Sequence, residues 1–247
     1  MATLHLLCAG AAKGLVEALS NRFTAETGAA LAATFGAVGA MREALLAGAP
    51  CDVLVTTEAM GEALAASGTL RGATCTLLGR VATGVAVRAV QPWLDVSGPD
   101  VSGLEALTPD ISTPDALRTV LLAADTVYHP DAERSTAGIH FASVLRQLGI
   151  AATLHMRLRP FPNGATAMRQ LAASTSPCAI GCTQASEILY GPGVVIVGAL
   201  PAPFELAAAY AAATSTAAAE PDLAQRCIAL LTGDAARLLR LAGGFNC

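Results

Sequence analysis

The sequence predicts an α/β fold of two lobes, each a mostly parallel sheet flanked by helices. Short apolar runs of strand character alternate with helical segments, which is the grammar of β-α-β units. Small-residue turns rich in glycine and alanine join them. The same grammar restarts in the middle of the chain without a tandem repeat. With 247 residues, 53% hydrophobic and 14% charged, the chain has apolar surface enough for two lobes and is not intrinsically disordered.

Thr3–Ala9 reads as a buried strand that enters the turn Gly10-Ala11-Ala12. A helix follows from Lys13 to Thr27, with Leu15, Leu19 and Phe23 at four-residue spacing and Gly28 as its stop. Ala30–Phe35 is a second strand, Gly36-Ala37-Val38-Gly39 a tight turn, Ala40–Ala47 a helix ended by Gly48, and Cys51–Val55 a third strand. In the middle, Gly84–Arg88 is a strand and Thr113–Ala124 a helix with Pro114 in its first turn. Val127–His129 is a strand, and Ile139–Leu148 is a helix closed by Gly149. A strand end is expected at Thr153–Leu158, and a helix from Asn163-Gly164 to about Ala173. Ala179–Cys182 and Val194–Val197 read as strands, and Glu220 through Leu241 as helix.

The formal net charge of −4 argues against a nucleic-acid partner. The 15 cations are 14 arginines and one lysine, Lys13, which singles that residue out. No run of about 18 strongly apolar residues reads as a membrane span; 206–219 comes closest but is short and small-sided. The N-terminus runs straight into strand pattern, so the sequence as it stands reads as cytoplasmic, and as periplasmic only if a signal has been removed. Seven irregularly spaced cysteines do not form a disulfide framework. Cys178 and Cys182, without a second pair or a nearby histidine, do not make a zinc site, and no metal or other cofactor is expected.

Gly36-Ala37-Val38-Gly39-Ala40-Met41 is followed by Gly48-Ala49-Pro50-Cys51-Asp52-Val53-Leu54-Val55. Thr136-Ala137-Gly138, Gly181-Cys182-Thr183-Gln184-Ala185-Ser186-Glu187 and Ala242-Gly243-Gly244-Phe245 come later. In this order the motifs resemble those of the molybdate-binding proteins of ABC importers. The resemblance implies a type II periplasmic-binding-protein fold, with two lobes joined by two crossings near Arg80–Thr83 and Val197–Leu200 and a ligand held in a cleft. The lobes would then be 1–80 plus 199–247, and 81–198. An importer permease would be the partner of an exported protein.

Strand-end turns expose backbone N–H groups, and each following helix aims its positive dipole end at the same point, so such turns make an anion site. Four helix starts qualify, after Gly10-Ala11-Ala12, Gly36-Ala37-Val38, Thr136-Ala137 and Asn163-Gly164. Against the resemblance, the family's serines fall on Ala11 and on Ala37 with Val38, and its tyrosine falls on Gln184. Each lost bond to a buried oxyanion is worth roughly 1.5–3 kcal/mol, so the ligand is expected to be a small organic di- or tricarboxylate rather than molybdate. The expected ligand-binding residues are Ala11, Ala12, Lys13, Ala37, Val38, Thr56, Ser135, Thr136, Ala137, Asn163, Gly164 and Gln184. Thr57 caps the next helix or lines the site with Thr56. His5 is expected in the core, with His140 structural and His155 uninformative.

Walker loop, HExxH, nucleophile elbow and dinucleotide fingerprint are all missing from the sequence. The alternative to a binding protein is a cofactor-independent isomerase. The Cys8-Ala9-Gly10-Ala11 opening is loosely similar to the aconitate isomerase branch of this fold, which shifts a double bond in a tricarboxylate. Lys13 or His129 would then exchange the proton.

Overall fold

The computed structural model describes residues 2–89 and 108–246. The chain divides into two compact units, Met1–Val81 with Ala207–Cys247, and Ala82–Leu206. In chain order, β1 (Thr3–Ala9) passes through a 3-10 turn, Gly10–Ala12, into α1 (Lys13–Thr27). β2 (Ala30–Gly36) leads to α2 (Val38–Leu46), and β3 (Val53–Thr57) to α3 (Glu58–Ala66). β4 (Thr76–Arg88) runs from the first unit into the second. There follow α4 (Pro114–Ala123), β5 (Thr126–Pro130), α5 (Thr136–Gln147) and the short α6 (Ala151–Leu154). β6 (Leu158–Phe161), α7 (Gly164–Ala172), β7 (Ala179–Gln184), α8 (Ala185–Leu189) and β8 (Val194–Ala199) complete the second unit. The chain returns to the first with β9 (Ala207–Thr214), α9 (Pro221–Thr232) and α10 (Arg237–Ala242).

In the first unit β1 lies between β2 and β3, parallel to both, and β9 pairs antiparallel with β3. The Val-Leu-Val run of β3 is wholly buried, as a central strand covered on both faces requires. Asp52, just before it, is a tie. Its carboxylate accepts from the His5 N–H at 2.7 Å, the Ala219 N–H at 2.7 Å and the Glu220 N–H at 3.0 Å. One carboxylate thus joins β1 to the segment entering α9, and three N–H bonds satisfy its buried charge.

In the second unit β5 lies between β6 and β7, parallel to both, while β4 pairs antiparallel with β7 and β8. Val127, Phe141, Val144, Leu145 and Ile180 share one core cluster; Ala167, Met168, Leu171 and Ile188 share another. Gly181 allows the second to close, because a Cβ there would stand 2.6 Å from Met168 Cε and 2.8 Å from Leu171 Cδ2.

Several expectations need correction. The second crossing falls at Leu206–Ala207, beyond Val197–Leu200. β8 stays paired with β4 through Ala199, and the Leu200 N–H donates to the Thr83 carbonyl at 3.0 Å, which keeps that stretch in the second unit. Residues 151–157 are helical and 3-10, and the strand begins only at Leu158, where parallel pairing with Val127 starts. α2 begins at Val38 rather than Ala40. The C-terminal helix breaks at Gly233, and Arg240 Nη1 bonds the Leu231 and Gly233 carbonyls at 2.8 and 2.9 Å across the break. His5 is only half buried and borders a surface groove with Ala32 and Thr34.

Candidate functional site

The parallel registers place the candidate turns. In the first unit Ala9 is opposite Gly36 and Cys8 opposite Val55, so the turns after β1, β2 and β3 share one sheet edge. The helical run after β1 starts at Gly10 with Ala9 as N-cap, and α2 starts at Val38 with Ala37 as N-cap. Neither start has a side-chain cap, since alanine cannot supply one. Ala11, Ala12, Ala37 and Val38 are all buried. A buried helix start without a cap leaves N–H groups that need a ligand or water. Thr56, at the end of β3, adds a buried hydroxyl oxygen with no protein partner among the described residues. Thr57, the N-cap of α3, makes no cap bond.

In the second unit His129 is opposite Pro160 and Tyr128 opposite Gly181, so the turns leading to α5, α7 and α8 share an edge as well. Ser135 is the N-cap of α5, but its hydroxyl makes no cap bond; Ser135 and Ala137 are buried and Thr136 is partly buried. α7 is different. Asn163 Oδ1 accepts from the Thr166 N–H at 2.8 Å. The Glu187 carboxylate accepts from the Gly164 and Ala165 N–H groups, the latter at 3.3 Å, from the Gln184 N–H and from the Thr183 hydroxyl at 2.5 Å. The Gly164 and Ala165 N–H groups, expected to face a ligand, are thus turned to the protein's own carboxylate, while the cap bond engages Asn163 through Oδ1 and not through the amide nitrogen expected to donate. Burial pushes the Glu187 carboxyl above its usual range, and the four donors oppose that rise.

Lys13 lies beyond the first turn of its helical run. Its Nζ is 3.7 Å from Glu17 and 5.7 Å from the centre of the Phe35 ring, so the ammonium is partnered on a half-exposed face. His129 ends β5 in the interior. Its Nδ1 is 2.8 Å from the Pro130 carbonyl, which places the proton on Nδ1 and leaves Nε2 as a buried acceptor with no protein partner among the described residues. Burial lowers its pKa. Tyr128 faces the other way, with its hydroxyl 3.1 Å from Ser174 Oγ and its ring stacked on Phe161. His140 Nε2 is 2.8 Å from the Phe204 carbonyl, and His155 is exposed. Gln184 is the buried N-cap of α8.

Burial raises the pKa of every buried thiol: Cys51 to about 11, Cys227 to about 12, and Cys8 and Cys182 higher still. These are unreactive sulfurs. Cys247 lies outside the described residues. Among the described residues no group of three or more His, Cys, Asp or Glu side chains stands together as metal ligands, and no helix is long and apolar enough to cross a membrane.

Parallel strands whose carboxyl ends feed helix starts, in two units with returning connections, make the α/β fold of the type II periplasmic class. The chain belongs to the family described as bacterial extracellular solute-binding protein, whose model matches residues 4–246. Among solved structures, the periplasmic molybdate-binding protein of Azotobacter vinelandii is similar at 19% identity and a TM-score of 0.77, with 99% of each chain covered. The sulfate-binding protein SubI of Mycobacterium tuberculosis is 15% identical, with a TM-score of 0.72 over 99% of this chain and 86% of that one. PEB3 with bound L-phospholactate is 13% identical, with a TM-score of 0.64 over 98% and 99%. No curated protein matches the chain.

Proposed function

We propose that the protein is an exported binding protein for a small organic carboxylate, rather than for molybdate, and that it hands this ligand to an importer permease. The observation behind this reading is made in each unit by itself: the helix starts at Gly10 and Val38 in the first, and at Thr136 in the second, are not finished by a side chain. Their N–H groups suit an oxyanion, while Ala11, Ala37 and Val38 bring methyl groups where the related family has hydroxyls. A carbon skeleton matches such a surface better than a bare tetrahedral oxyanion does. The similarity to a molybdate-binding protein, a sulfate-binding protein and PEB3 with bound L-phospholactate supports an anion. Thr56 and Gln184 add polar groups at the same sheet edges, and Lys13 is left out because Glu17 already holds it.

A thermal shift series with molybdate, sulfate and mono-, di- and tricarboxylates tests the reading. A ligand at 100 times its dissociation constant adds about 2.7 kcal/mol of stability. Carboxylates should give the largest shifts; a larger shift with molybdate at equal concentration would overturn the proposal. Thr136→Pro then tests the donors. Ser135 is already extended, at φ −97° and ψ 131°, so proline is tolerated at the first helical position while one N–H is removed. Affinity should fall roughly tenfold to a hundredfold with the fold intact.

His129 is the observation behind a second reading, the tricarboxylate isomerase, because its Nε2 is an unprotonated imidazole nitrogen with no protein partner among the described residues. Interconversion of cis- and trans-aconitate by purified protein, abolished by His129→Gln, would establish it.

A further inference from the structure

The last helix of the first unit reverses the usual polarity of a surface helix. In α10 Arg240 is buried, held by the Leu231 and Gly233 carbonyls, while Leu238 is 77% exposed and Leu241 41%. The two leucines are three residues apart and share one face. A surface helix normally buries its apolar residues and sends its cations to water. Beside α10, in the same unit, a groove of about 340 Å³ runs between α1 and α9. Arg22 and Glu26 of α1, Arg226 of α9 and Asp234 line it, together with the small apolar side chains of Ala229 and Ala235. Asp234 opens a 3-10 turn that runs straight into α10, so Leu238, four residues on, stands about one helical turn from the groove.

The charges of the groove are only partly used. Arg22 Nε donates to Glu26 Oε1 at 2.6 Å, and Arg226 Nη2 to the Glu26 carbonyl at 2.7 Å. Each guanidinium keeps further N–H donors. Asp234 is in no ion pair among the described residues. Two cations and two anions cancel, so the groove draws neither a simple anion nor a simple cation. It suits a surface that carries both signs and an apolar knob.

We propose that this face is the interface of a two-fold dimer, its occupant a second copy of this chain. A two-fold axis makes every contact twice with the roles exchanged, so the face has to complement itself. Here it does. Arg226 faces the partner's Asp234, Asp234 faces the partner's Arg226, and Leu238 of each copy fills the groove of the other. The inverted α10 then has its leucines covered and its charges at the rim, as an interface requires. The inference is independent of the ligand.

Sedimentation equilibrium on the full chain tests it. Wild type should dimerise reversibly at concentrations below about 1 mM. Leu238→Glu alters a side chain that folding leaves in water, and it should weaken association roughly a hundredfold because the apolar contact is lost twice per dimer. Asp234→Arg and Arg226→Asp each set like charges face to face, and each should weaken it about tenfold. Mixed in equal amounts, those two variants again oppose unlike charges at both contacts, so the heterodimer should recover wild-type affinity. Damage to the fold of either variant cannot produce that recovery. A wild type that stays monomeric throughout the range, a Leu238→Glu variant that dimerises normally, or a mixture no tighter than its components would each overturn the proposal.

Discussion

α5 and α7 follow neighbouring parallel strands of one sheet, and their first turns are completed in opposite ways. α7 carries its own Asn163 cap and a carboxylate from Glu187, a residue of α8. α5 has a serine at the capping position whose hydroxyl makes no such bond, in an equally buried setting. A helix start normally gains about 1 kcal/mol from a cap. A protein that completes one buried start and leaves its neighbour open has forgone that stabilisation at the open one. Binding sites are drawn from such locally unfinished places, and finished ones serve the fold.

The comparison can be broken most directly at Gly164. Gly164→Ala forces a methyl group into Glu187 and Thr183, so the doubly satisfied start of α7 must open. Overpacking of this kind costs about 3 kcal/mol, a fall in melting temperature of roughly 6–12 °C for a chain of this size. A change under about 2 °C would show that the carboxylate moves aside freely and that α7 is less finished than its bonds imply. Next in size is the pair of caps. Asn163→Ala should cost about 1 kcal/mol, seen as a loss of roughly 2–4 °C, whereas Ser135→Ala should stay within about 0.5 kcal/mol of wild type. Equal losses would erase the distinction between the two helices.

The smallest effect is a pair of opposite pH slopes. Burial raises the Glu187 pKa and lowers that of His129. A raised carboxyl contributes stability that is full below its ordinary 4.5 and is lost as pH rises through the folded value. A lowered imidazole contributes stability that is full above its ordinary 6.5 and is lost as pH falls. Glu187→Gln should therefore gain on wild type as pH climbs above 4.5, and His129→Gln as pH drops below 6.5. Melting curves across that interval check both, and parallel slopes would refute the assignment.

Much of this architecture is legible in the chain, for identifiable reasons. β1 and β3 are buried apolar runs bounded by small-residue turns, and the helix after Lys13 has a clean four-residue spacing and a glycine stop at φ 69°. β9 gives no such signal. An Ala-Ala-Ala-Tyr-Ala-Ala-Ala-Thr run has little strand preference, and pairing with β3 makes it a strand. The segment 151–157 misleads because Leu and Met at alternate positions imitate a half-buried strand. At the site, the uncapped turns were visible as alanines and glycines in register. The part Glu187 plays in the first turn of α7 is not legible in the sequence, because its partners Gly164 and Ala165 lie more than twenty residues upstream in another helix. Its one local sign is an acid in a helix's first turn, which is common enough to pass unremarked.

The Asp52 tie has a consequence for how the molecule is made. The N–H groups it collects from Ala219 and Glu220, and the strand β9 beside β3, come from the far end of the chain. Met1–Val81 therefore leaves the ribosome with an unpaired strand edge and a buried acid short of two partners, and waits for the whole of Ala82–Leu206 to follow. At ordinary synthesis rates that wait is on the order of ten seconds. The continuous second unit can reach its final form in that interval, so the unit begun first is the one completed last.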